Sequence, residues 1–208
     1  MAKADTEAKS NTSKSNQKGG KAATQPVASS NGASETLSFR DRQRTLKNAY
    51  KIHGGLGKQV SAVQSVTPAD ADTGKVRIAI DNPAGIEIDI GAHVSVGGVE
   101  DVGCSGDYFL ASLAGCYEIT LRLVAAASKV TINRLDLRVE GDWDARGTLG
   151  MNPDIPVGFT DIRILVNLDA DGPEDRLAKL AELTEQYCVV SQTLKNPPRV
   201  EVLLTKSS

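Results

Sequence analysis

Between about Gly74 and Leu204 the chain alternates short runs of period-two hydrophobicity with two stretches of helical period. "KVRIAID" sets Val76, Ile78 and Ile80 against Arg77 and Ala79, and "GIEIDI" sets Ile86, Ile88 and Ile90 against Glu87 and Asp89. "NRLDLRVEGDW" sets Leu135, Leu137, Val139 and Trp143 against Arg134, Asp136, Arg138 and Glu140. Successive side chains of a strand point to opposite faces, so each run predicts a strand with one buried side. In "VGFTDIRILVNLD" the parity changes between Phe159 and Ile162, which predicts a bulge there, and "RVEVLL" predicts a closing strand. One-face alternation indicates sheets covered on one side rather than a doubly wound parallel core.

Helical period replaces this alternation twice. From about 106 to 128 the chain is apolar nearly all round, the pattern of a helix buried from several sides. Its second half carries Glu118 and Arg122, each expensive at a bilayer centre, so it predicts a central core helix rather than a membrane span. "GPEDRLAKLAELTEQY" follows, with Pro173 at its first turn and Leu177, Leu180, Ala181 and Thr184 on one face. Cys188 comes directly after, and "VVSQTLKN" predicts one or two more turns before Pro197. Ahead of the strands, "SFRDRQRTLKNAYKIHGG" predicts a helix with Ser38 as N-cap and Gly54-Gly55 as its stop. Phe39, Leu46 and Tyr50 share one side of it, and Arg40, Arg44, Lys47 and Lys51 form a basic side of the solvated kind.

The coarse expectation is a single α+β domain over 37–208, with 37–55 as an extension helix. Residues 1–36 form a separate block whose only large aliphatic side chain apart from Met1 is Val27. Such a segment buries too little surface to offset the entropy of ordering, so it reads as a disordered low-complexity tail. Its five lysines come without arginine or amphipathic period, unlike a mitochondrial presequence, and no secretory signal opens the chain. A net charge of −2 gives no reason to expect a nucleic acid or an anionic membrane as partner. These features predict a cytoplasmic protein, where thiols stay reduced.

That makes the three cysteines the main candidates for chemistry. They lack CxxC spacing and have only His53 and His93 to assist, so a metal site is not expected. Free cysteine is among the most buried residue types, and Cys116 inside an apolar helix reads first as a space-filling side chain. Cys104, twelve residues earlier and near the helix start, reads as structural, with a redox role as its alternative.

The order of three segments changes that reading. "CSGDYFLASLAGC", "EGDWDARGTLG" and "TEQYCVVSQTL" together resemble the osmotically inducible protein C and organic hydroperoxide resistance family, OsmC/Ohr, from about Gly74 to Leu204. "LASLAGC" leads to the first cysteine on a helix, and "CVVSQTL" stands where the family commonly has Cys-Pro-Val-Ser. "RQRTLKNAY" is similar to the N-terminal extension of some branches. The resemblance implies an intertwined α+β homodimer, with antiparallel sheets wrapped around long central helices and sites at the subunit interface. It also implies a cysteine-based peroxidase in oxidative-stress defence. Cys116 would attack the O–O bond of an organic hydroperoxide, Cys188 would resolve the sulfenic acid, and a small or lipoyl-type dithiol would restore the pair. No metal, flavin or other cofactor is implied.

Such a nucleophile needs support. Lowering a thiol pKa from about 8.5 to about 6 takes roughly 3.4 kcal/mol of preferential stabilisation of the anion, and a mid-helix site lies beyond the reach of the helix dipole. The family supplies a guanidinium oriented by a carboxylate. Here the glutamate expected ten residues before Cys116 is Gly106, and its neighbouring proline is Ser105. The candidates for thiolate support are therefore Arg146, in the Gly-flanked "DARGTLG" loop, and Asp107, one place off the family position. The alternative reading is a catalytically weak protein of the same fold that binds a small hydrophobic ligand at the dimer interface.

Overall fold

In a computed structural model the described residues, 37–206, fall into two units divided after Gln59. The expected tail, 1–36, lies outside the described residues. The first unit is helix α1, Phe39–Ile52, followed by a 3-10 turn over Gly54–Gly57. Ser38 caps α1 as expected: its hydroxyl accepts the Asp41 N–H at 3.2 Å and donates to the Asp41 carboxylate at 2.6 Å. Phe39 and Leu46 on its apolar side are about half exposed.

The second unit, from Val60 on, holds two antiparallel sheets and a long helix. Strands β1 (Val63–Ser65), β2 (Lys75–Ile80) and β3 (Glu87–Gly91) form one sheet in that order, with Ile78 opposite both Ser65 and Ile88. Helix α2, Ser105–Ala127, comes next, then β4 (Thr131–Asp142), a one-turn helix α3 (Ala145–Thr148) and β5 (Asp161–Asp171). Helices α4 (Glu174–Tyr187) and α5 (Val189–Lys195) end the regular structure. β4 and β5 pair as a second, two-stranded sheet. The α+β class with antiparallel sheets and a long central helix is the one the sequence predicts.

The core is one layer deep. Leu113, Tyr117, Leu121 and Val124 recur at helical spacing along α2 and meet Leu135, Leu137 and Val139 of β4, Ile162, Ile164 and Leu168 of β5, and Leu180 of α4. α2 is long and apolar enough to cross a bilayer, yet this stripe packs on β4, α4 and α5, the arrangement of a core helix. The helix ends at Ala127, and just beyond its cap Lys129 is held in the left-handed conformation with φ 60° while Val130 N–H reaches back to the Ala125 carbonyl. Glu118 and Arg122 pair one turn apart, as the spacing predicts.

Two expectations need correction. The irregularity in the long hairpin lies between Ile132 and Arg134 of β4, not between Phe159 and Ile162. It lets Ile132 and Leu135, of opposite parity, face the same core; the parity change after Phe159 is simply the entry into β5, where Thr160 N–H bonds the Asp142 carbonyl. "RVEVLL" is not a strand in the single chain: 197–206 carry no regular structure, and Val200, Val202 and Leu204 are almost wholly exposed. No sheet edge meets that segment within one chain, so its alternation has nothing to pair with.

Candidate functional site

The end of α4 brings Cys188 to α2. Cys188 is the residue between α4 and α5, and its N–H bonds the Thr184 carbonyl at 2.9 Å while its carbonyl accepts from Gln192 N–H at 2.9 Å. The turn points its side chain inward, where it is 0% exposed. Cys116 is half-buried on α2 and packs against the same core cluster. The two side chains are neighbours, close enough that the Cys116 sulfur acts directly on Cys188.

Burial pushes the Cys188 thiol upward in pKa, and contact with Cys116 adds to that push. The backbone N–H groups of Ser191 and Val190 pull the other way without overcoming it. Cys188 is thus held as the thiol rather than the thiolate at neutral pH. Tyr117, next to Cys116 in sequence, is buried too; burial raises its phenol first, and Glu185 and Cys188 raise it further. Hydroxyls close the helical turns around the pair: Thr120 donates to the Cys116 carbonyl at 2.8 Å and Thr184 to the Leu180 carbonyl at 2.7 Å.

A cleft of about 390 Å3 runs between the start of β5 and α5. Its apolar lining includes Leu113, Ile162 and Leu194, and an ion pair of Lys195 with Glu185 stands at its polar side. Leu113 lies one helical turn before Cys116 and the Ser191 N–H donates to Cys188, so the cleft reaches residues beside both thiols.

The other two predicted site residues are elsewhere in the chain. Asp107 belongs to the start of α2, where its carboxylate accepts the Cys104 N–H at 2.9 Å and Cys104 Sγ accepts the Asp107 N–H at 3.4 Å. This capping pair holds the Asp107 carboxyl below its usual range. Nine residues of helix, about 14 Å at 1.5 Å per residue, separate it from Cys116. Arg146, in α3, makes a two-pronged pair with Asp144 (3.0 and 2.5 Å) and holds that carboxyl at about 2. No cation is among the groups acting on Cys188. Among the described residues no group of three or more His, Cys, Asp or Glu side chains is arranged to hold a metal.

Residues 103–203 match the model of the OsmC-like protein family. The chain carries an OsmC-like domain. Among solved structures, an OsmC-like protein from Mycoplasma pneumoniae superposes with a TM-score of 0.51 at 20% identity, covering 67% of this chain and 90% of that one. An OsmC-like protein of unknown function from Vibrio cholerae gives 0.53 at 14% identity, covering 65% and 94%. At such identities the likeness is one of fold. Among curated proteins no sequence match was found. In the OsmC-like domain, then, both conspicuous cysteines of the sequence lie at one place. Missed by sequence were Ser191 and Tyr117; Ser191 had a signal, as the third residue after a cysteine that opens a helix.

Proposed function

We propose that the protein is a thiol-dependent peroxidase that reduces organic hydroperoxides through Cys116 and Cys188. The observation that carries this reading is their adjacency in the fold across 72 residues of sequence, beside residues that line a cleft of mixed polar and apolar walls. The Cys116 thiolate attacks the distal peroxide oxygen: an S–O bond forms, the O–O bond breaks, and the alkoxide leaves as an alcohol after taking a proton. The sulfenic acid then condenses with the Cys188 thiol, forming the S–S bond and releasing water. A small or lipoyl-type dithiol reduces the disulfide by exchange. The protonated state of Cys188 fits the resolving role, since it leaves Cys116 as the attacking sulfur. Leu113, Ile162 and Leu194 on the apolar side of the cleft support a preference for bulky hydroperoxides over hydrogen peroxide.

The active form in this reading is a cytoplasmic, intertwined homodimer. One face of α2 is uncovered, with Ile119 60% exposed among the small residues Ser112, Gly115 and Ala126, and the "RVEVLL" segment has no pairing partner in its own chain. Arg146 pairs with Asp144 and Asp107 caps α2 with Cys104, so neither supports a thiolate within one chain. A catalytically weak ligand-binding protein is the second reading, favoured by the lack of a cation acting on Cys188. Titrating free thiols before and after one equivalent of cumene hydroperoxide separates the two. Loss of two thiols per chain supports the peroxidase, and retention of all three supports the binding protein.

A further inference from the structure

A second cleft, about 340 Å3, lies at the start of α2 and shares Phe159 with the first. Cys104, on its wall, is twelve residues before Cys116, about 18 Å of helix. Trp143, Phe159, Val157 and Val96 make it mainly apolar, and its volume is at the small end of ligand sites. Its walls are built closely. Phe159 stacks on Phe109 with ring centres 5.7 Å apart and lies so near the backbone that a Cβ at Gly141 would stand 2.6 Å from its ring. The His93 ring meets Trp143 edge-on at 5.2 Å.

His93 supplies the polar group. Its Nδ1 accepts the Ser95 N–H at 3.1 Å and contacts the Ser95 hydroxyl at 2.7 Å. A nitrogen that accepts a backbone N–H carries no proton, so the neutral imidazole is protonated on Nε2. That N–H has no protein partner among the described residues. With Nδ1 taken by Ser95, Nε2–H is the free donor of a ring that lines the cleft, which points to binding. The Asp107 carboxylate, bonded to Cys104 and close to His93, disfavours an anionic ligand beside them.

We propose that this cleft binds small neutral carbonyl compounds with an aryl or alkyl body of about ten non-hydrogen atoms, at about 30 Å3 per atom-sized share of liquid volume. His93 Nε2–H donates to the carbonyl oxygen, and the body lies against Trp143 and Phe159. Trp143 is the only tryptophan, so its fluorescence reports the site directly. The test is titration of the full chain with 4-phenyl-2-butanone, beside 3-phenylpropionate as a charged molecule of equal size. The ketone is expected to change Trp143 emission saturably and to slow alkylation of Cys104 by iodoacetamide. His93→Ala is expected to raise the ketone Kd about tenfold, the effect of one hydrogen bond, with His93→Gln restoring part of it. Gly106→Leu, which fills the cleft beside Phe159, is expected to abolish binding, while Cys116→Ser binds as wild type. No saturable change with the ketone, equal binding of the carboxylate, or a Kd untouched by both His93→Ala and Gly106→Leu would overturn the proposal.

Discussion

The buried Cys188 sulfur lies beside Cys116, although the one terminates α4 and the other sits midway along α2. A dithiol of this kind has two unequal members. Cys188 is kept protonated by its burial, and Cys116 is only half-buried against the same core.

Role reversal is the sharpest kinetic consequence. Cys116→Ser is expected to abolish peroxide consumption, because no thiolate remains to attack. Cys188→Ser is expected to keep the first turnover and accumulate a sulfenic acid that overoxidises in excess peroxide. Dimedone labelling followed by mass spectrometry reads both. First-turnover loss in Cys188→Ser with full activity in Cys116→Ser would invert the assignment.

Stability should fall at alkaline pH. The folded-state pKa of Cys188 is raised above its ordinary value of 9.0, so the folded state holds that proton more tightly than the unfolded chain. The contribution is complete below pH 9.0 and is lost as pH rises through the raised value; Tyr117, raised above 10.0, acts with the same sign. Urea midpoints under reducing conditions at about pH 8 and about pH 10 should show a smaller decline for Cys188→Ala than for wild type. Equal declines would contradict the shift.

Assembly follows from the uncovered face of α2. Light scattering at micromolar concentration should give a dimer, and Ile119→Glu should give a less stable monomer, because it places a charge on the face argued to be covered. A stable wild-type monomer would contradict it.

Phe159 needs a glycine beneath it. Gly141→Ala puts a methyl group 2.6 Å from the ring and should cost about 1–3 kcal/mol in urea unfolding. Phe159→Leu in the same chain should recover most of that loss. Additive losses would mean that the ring does not rest there.

The sequence showed the elements better than their partners. Period-two runs marked β2, β3, β4 and β5, and the cap at Ser38 and the apolar run after Cys104 marked α1 and α2 within a residue or two. It missed β1, three residues with no apolar alternation to see, and it read as a closing strand a segment that one chain cannot pair. The apolar surface all round α2 was legible, but which part faces β4 depends on where α4 returns, a long-range contact that local pattern does not encode. For the same reason the meeting of Cys116 and Cys188 came from family resemblance rather than spacing. The cleft at His93 was invisible because its walls come from the segments at 92–106, 143–148 and 157–159.

The most direct test of the central claim is peptide mapping of the full chain after one equivalent of cumene hydroperoxide, without added reductant. With three cysteines, three intrachain disulfides are conceivable. The account predicts a single product joining Cys116 to Cys188, with Cys104 free, formed as the alcohol is released. Unchanged thiols, or a disulfide that includes Cys104, would contradict it.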